Sequence, residues 1–592
     1  MQPTIEGYER VCRLGPDRLT EALVARHHTR MLNLERIPDD YAFQALRPLL
    51  PIGLLDQAHV SLGVPLQRFP ASFHGNAPAH LAWGLESAVS ACRLLLAGQA
   101  VGAAVVARQQ LERWTLLLAR ITGVERQPRE PLQEFIARCW SSHAMDQVGE
   151  EAIRTAVSAA ADPFVDGEPT PDSDVPGHEH IDLSDGTEVC PLNVYVHLSE
   201  MIHGDLFRET VDWEANDLLD PTSLPTEAQD AVAAVCDALS LNVIQLRTAT
   251  SAVCASRGHA EQAVLLQRAG DRVEKLTRRP EDHGRADTGS QPMTRPKLPA
   301  LMPLTVNEGL DAEPIEYLAR RSANYAQVLA RELPAGRLYR DDEMLTLAFT
   351  AHRHASAMAA AAMLDREKLY YGEEFEPMNL VGRGVTYVLV AEIAALCSRW
   401  TDRLPHLAAA AAAVSSSLRS AYWLWLEDDD RAMATLRCTL EQTARIRVWR
   451  IKPEKAEKLE TSLGTTPRDW LETAGWRRLS VLGRALSEFA HAHPGSRWDG
   501  ARNLLTALQI NPDEKIAPFT ARGSALDFVA TLAAREAISV ISEIHSPLIA
   551  GTMRDALAPS KLDLSVDDRA VDEILNHIWE QRSQPLGPPQ FV

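Results

Sequence analysis

Apolar residues recur at intervals of three and four over long stretches of this chain, and that period constrains its fold more than any other feature. Leu81 to Ala97, Ala100 to Thr122, Ala228 to Ser256, Arg383 to Trp400, Arg431 to Arg450 and Ala525 to Ile544 all carry it. An apolar face that returns every 3.6 positions belongs to an amphipathic helix, whereas a half-buried strand alternates in twos. Punctuation agrees. Ser or Asp often precedes an apolar run and Gly or Pro follows one, as at Ile121-Thr122-Gly123 and Ala492-His493-Pro494. The apolar surface comes from aliphatic residues and alanine, with aromatics only 6% of the chain. That balance suits helix-on-helix packing better than a β-sandwich. The sequence predicts an all-α protein.

At 592 residues the chain exceeds what one hydrophobic core usually organises. Residues 162–191 are acidic, rich in proline and glycine and without apolar period, and read as a long loop insert. Residues 277–303 have the same character near the middle of the chain and read as a flexible linker. The expected division is an N-terminal helical lobe over 1–276, a C-terminal lobe over 304–582 and a mobile tail over 583–592. The two halves repeat each other in the same order. Leu95 to Gly98 with Ala107-Arg108 and Leu111-Glu112 aligns without a gap on Leu424 to Glu427 with Leu436-Arg437 and Leu440-Glu441. Leu198-Ser199-Glu200 with His203 then matches Leu486-Ser487-Glu488 with His491. Shared motifs in shared order predict an internal duplication, two similar helical bundles whose motifs meet in space.

A formal charge of −20 argues against an extended DNA-binding surface, which needs a net basic face to displace counterions. It leaves room for a local basic pocket. The eight cysteines are far apart with no CxxC pair, which predicts reduced, buried thiols in a cytoplasmic protein. The amino terminus lacks a basic start followed by an apolar run, and Leu407 to Val414 is too short to span a bilayer. No membrane partner is expected.

The paired motifs carry three readings. Arg108 with Glu112, and Arg437 with Glu441, stand four apart and project from one helix face. Ser199 and His203, and Ser487 and His491, share that spacing, while Glu200 and Glu488 lie three before their histidines. In the first reading these groups form satisfied polar clusters that pin helices together, in a non-catalytic scaffold for protein partners. In the second, Arg484 and His491 lie two helical turns apart on one face and cleave RNA without metal. The histidine moves the 2′-hydroxyl proton, and the guanidinium stabilises charge on phosphorus. In the third, Glu112, Glu441 and the Glu-x-x-His pairs Glu200/His203 and Glu488/His491 supply the inventory of a carboxylate-bridged di-iron or di-manganese centre. There the arginine one turn before each bridging glutamate competes with the cation. Outside the third reading no cofactor is expected.

The stretch Arg484-Ala485-Leu486-Ser487-Glu488-Phe489-Ala490-His491 resembles the R-x4-6-H motif of the HEPN superfamily of helical proteins, many of which are ribonucleases of toxin–antitoxin and phage-defence systems. The pairing of an Arg-x-x-Leu-Glu helix with a later Leu-Ser-Glu helix is similar to bacterial helical families placed near that group. The resemblance implies a bacterial, defence-related protein with RNA at a local pocket and Arg484 and His491 as its catalytic pair, supported by Ser487, Glu488, Arg437 and Glu441. Val196 stands where the first half would need the matching arginine. Arg108, Glu112, Ser199, Glu200 and His203 are therefore the weaker counterpart.

Other patterns have plainer explanations. Glu427 to Asp430 falls just before the Arg437 helix, where carboxylates favour a helix N-terminus. His178, His180 and Asp182 lie in the acidic insert, His352 and His354 on a polar helix face, and Arg138 with His143 repeats the Arg/His spacing by accident. Nucleotide-binding loops, the serine-hydrolase elbow and the HExxH zinc motif are absent from the sequence.

Overall fold

The computed structural model describes residues 4–36, 99–121, 191–203, 378–401, 403–426, 431–462, 465–490 and 518–560, together with 87–88, 90–91, 94, 125–128, 130, 135, 181–182, 188–189, 234–235, 237–239 and 241–242. Helix accounts for 89% of this part, so the all-α class holds. The helices are α1 (Ile5–Cys12), α2 (Pro16–Arg36), α3 (Ala100–Ile121), α4 (Pro191–His203), α5 (Met378–Trp400) and α6 (Pro405–Leu426). They continue as α7 (Arg431–Ile451), α8 (Pro453–Thr461), α9 (Pro467–Thr473), α10 (Ser480–Ala490), α11 (Pro518–Ile544) and α12 (Pro547–Leu557), with 3-10 turns at Arg477–Leu479 and Ala558–Ser560. Many of these helices open on proline, whose fixed φ suits the first helical position and whose missing N–H is not needed there. Inside the segment expected to be a loop, Ile181–Asp182 and Glu188–Val189 pair as two short antiparallel strands, β1 and β2.

The alanine run of α6 lets α5 and α7 approach closely, and Ala408 to Val414 are all buried. The Ser417 and Thr439 hydroxyls bond across α6 and α7 at 2.8 Å. An aromatic knot closes one end, with Tyr387 and Tyr422 rings 5.1 Å apart and Trp425 6.0 Å from Tyr387.

Helices from both sides of the expected linker enter one continuous apolar cluster, so the described parts of the two halves pack against each other. The reason lies in α3. Val101, Ala103, Ala104, Val105, Val106 and Ala107 are all buried, and a helix apolar all round needs partners on every side. It finds them in α4, α6 and α7. Gly102 permits the α6 approach, since a Cβ there would lie 2.1 Å from Ser420 Oγ. Ser420 donates to Gln99 Oε1 at 2.9 Å across the same contact. The amino terminus is tied in as well. Arg26 meets the fully buried Glu392 of α5 at 2.9 Å, and Tyr8 packs edge-on against Trp400. The stretches 277–303 and 583–592 lie outside the described residues.

Among the described residues Cys12, Cys397 and Cys438 are free and buried. Burial pushes the Cys397 thiol up to about 12, which leaves it unreactive at neutral pH. No described helix is long and apolar enough to cross a membrane.

Candidate functional site

The two Arg/Glu pairs form as their spacing predicts. On α3, Arg108 Nε donates to Glu112 Oε1 at 3.1 Å, and on α7, Arg437 Nε donates to Glu441 Oε1 at 2.7 Å. Their surroundings differ. The Tyr195 hydroxyl of α4 accepts from Arg108 Nη2 at 3.0 Å and donates to Glu112 Oε1 at 3.0 Å. The Arg108 guanidinium also lies over the Tyr195 ring, 5.0 Å from its centroid. Glu112 is wholly buried. Burial, with the Glu112 charge beside it, pushes the Tyr195 phenol well above its ordinary range. This triad is a sealed ion pair with its hydrogen bonds satisfied. Glu441 instead holds its second oxygen 3.7 Å from His203 Nδ1 at the end of α4.

The ends of α4 and α10 explain how the halves meet. Carbonyls in a last helical turn lack intrahelical partners. The Ile202 carbonyl accepts from Cys438 Sγ and Gln442 Nε2 of α7, each at 3.1 Å, and the Phe489 carbonyl accepts from Gln109 Nε2 of α3 at 2.5 Å. Each Ser/Glu/His helix thus packs on the Arg/Glu helix of its own half and ends on that of the other. The serines point back along their helices, Ser199 to the Tyr195 carbonyl and Ser487 to the Gly483 carbonyl, both at 2.7 Å. Such i−4 bonds occupy the hydroxyl proton locally.

Beside α7 opens a cleft of about 470 Å³, lined by Arg437, Glu441, Arg468, Arg477, Arg484, Ser480 and Ser487 among others. Its far wall is built by local rules. Asp469 accepts from the Thr466 N–H at 2.8 Å and the Thr466 hydroxyl at 2.6 Å, fixing the start of α9. These hydrogen bonds hold the Asp469 carboxyl below its ordinary value. Gly475, at φ 83°, lets the chain turn out of α9, with Trp476 N–H bonding back to the Leu471 carbonyl. Arg477 and then Arg484 follow. Arg468 and Arg477 both face Glu472, at 2.8 and 3.8 Å, and Arg437 is held by Glu441. Arg484 is exposed on the cleft wall. Four guanidinium groups thus line one concavity in a chain of charge −20. A second cavity of about 20 Å³, between Arg108, His203, Arg437 and Glu441, has room for a single water.

Of the residues proposed from the sequence, the structure therefore gathers Arg437, Glu441, Arg484 and Ser487 at the cleft, with His203 behind Glu441. Arg108 and Glu112 are placed in the sealed triad, and Glu200 is half-buried on α4. The Glu488 side chain and His491 lie outside the described residues, as do residues 138, 143, 178, 180, 352, 354 and 427–430. For the di-metal set, Glu112 and Glu441 each accept from an arginine. Among the described residues no group of three or more His, Cys, Asp or Glu is gathered for a metal ion.

Sequence reasoning missed Tyr195, Gln109, Gln442, Arg468 and Arg477. A usable signal existed for the last two: Arg468, Arg477, Arg478 and Arg484 fall within a short stretch of an otherwise acidic chain. No matching family model, curated protein or solved structure accompanies these residues.

Proposed function

We propose that this chain is a nucleic-acid-directed, HEPN-like helical protein with a defence-related role, which takes a segment of single-stranded RNA in the cleft beside α7 and cleaves it without a metal ion. One observation carries the reading: four arginines converge on the cleft, and Arg484, the arginine of the R-x6-H motif, is among them. Among the described residues no carboxylate pairs with Arg484, which leaves its guanidinium for phosphate. His491 is the next residue after α10. In this reading it accepts the 2′-hydroxyl proton as the 2′-oxygen attacks phosphorus. The bond from phosphorus to the 5′-oxygen breaks, and the proton passes to that oxygen. Arg484 and Arg437 stabilise the extra negative charge on the phosphoryl oxygens. Glu441 orients Arg437, and Ser487 and Glu488 flank the pair. The matching pair geometry of α3 and α7, and the reciprocal docking of α4 and α10, support an internal duplication in which only the second half kept the reactive pair.

The test is incubation of the full chain and its His491→Ala variant with a mixed RNA pool in excess EDTA. Fragments from the wild type alone are the expected result, and no fragments from either protein would remove the cleavage step.

The sealed Arg108–Glu112–Tyr195 triad favours a second reading, a non-catalytic scaffold. There His491→Ala lowers stability by about 1–3 kcal/mol, the cost of a lost buried hydrogen bond, and no activity is at stake.

A further inference from the structure

We propose that Glu441 is a built-in competitor for the ligand of the cleft, holding Arg437 until a phosphate displaces it and then turning to His203 of the N-terminal half. The inference rests on the reading of the cleft as a phosphate site. Arg468 and Arg477 stand on its rim, 65% and 70% exposed. Arg437 is 17% exposed and forms its floor. A phosphate that reaches the floor meets a guanidinium already hydrogen-bonded to a carboxylate, and two anions contend for one cation.

In most ion pairs, release of the carboxylate would strand it in a buried site. Here it has a second seat. The pair borders both the cleft and the small cavity behind it, and in that cavity Glu441 Oε2 already stands 3.7 Å from His203 Nδ1. An imidazole N–H there donates to the displaced carboxylate without any change of charge. His203 is kept in place by the bonds from Cys438 and Gln442 to the Ile202 carbonyl. Ligand entry in the C-terminal helices is thereby coupled to the end of α4. The counterpart Glu112 has no such freedom, because Arg108 and Tyr195 both hold its Oε1.

The experiment measures affinity of the full chain for a fluorescently labelled short 2′-O-methyl oligouridylate, which cannot be cleaved through its 2′-oxygen. Glu441→Gln is expected to bind about threefold to tenfold tighter than wild type and to steepen the salt dependence by about one phosphate contact. A structural role for Glu441 predicts the opposite sign. The gain must vanish in the Arg437→Gln background. His203→Ala removes the second seat and is expected to weaken binding by about twofold to fivefold, with recovery in His203→Gln, which keeps a donor. This pair decides the matter if Glu441→Gln fails to fold. Wild-type binding with no gain in Glu441→Gln, or a gain that survives loss of Arg437, overturns the inference alone. Absence of binding by every form overturns the cleft reading and the inference with it.

Discussion

Helices α3 and α7 carry the same device, an arginine four residues before a glutamate, and put it to different use. On α3 the pair is closed by Tyr195 and buried. On α7 the same spacing opens to a cleft on one side and to His203 on the other. Spacing alone determines that the pair forms, because residues four apart meet on any helix. What the pair can do is decided by the third group each helix meets, and that group comes from elsewhere in the chain. A tyrosine that donates to the glutamate and accepts from the arginine completes a structural joint. An adjoining basic cavity leaves the arginine in reach of a ligand.

The two pairs should differ most at their glutamates. Glu112→Ala leaves the Arg108 charge buried without its carboxylate and is expected to cost about 3–5 kcal/mol in urea denaturation. Glu441→Ala, bordering the cleft, should cost no more than about 1–2 kcal/mol. Equal losses would erase the distinction between the two pairs. A smaller effect tests the contact that brings the two helices into one core. Gly102→Ala forces a Cβ against Ser420 and should lower stability by about 1–3 kcal/mol, with partial recovery when Ser420→Gly is added. An unchanged melting temperature would mean that α3 does not meet α6 as described. The smallest effect on stability is expected at Arg484. Arg484→Gln should leave unfolding within about 0.5 kcal/mol of wild type while weakening RNA binding about threefold to tenfold. Unaltered binding would show that the cleft is not the site.

How much of this was legible in the sequence follows from the range of the interactions. The apolar period of Arg431 to Arg450 is a local property, and α7 occupies almost the same residues. The Arg/Glu pairs are equally local, as are the serine bonds to carbonyls four residues earlier. Tyr195 was invisible because its role depends on α4 lying across α3, which no local pattern encodes. The packing of one half on the other was hidden for a related reason. Text that is apolar all round, such as Val101 to Ala107, states that a helix is buried but not that two of its partners, α6 and α7, lie about 300 residues ahead. Arg437 and Arg484 stood out by motif spacing, whereas Arg468 and Arg477 were legible only as composition. Arg468 and Arg477 became wall residues once the Asp469 cap and the Gly475 turn had folded the chain back on itself.

The bond from Gln109 to the Phe489 carbonyl joins residues 380 positions apart, and this sets a timetable for the newborn chain. At a synthesis rate of about 5–20 residues per second, α3 leaves the ribosome roughly 20–80 s before the residue that completes its contacts. For most of that interval its buried alanines and valines have no native cover from α6 or α7, and cover from α10 comes last. The apolar surface of α3 therefore waits for its cover until the last third of the chain arrives.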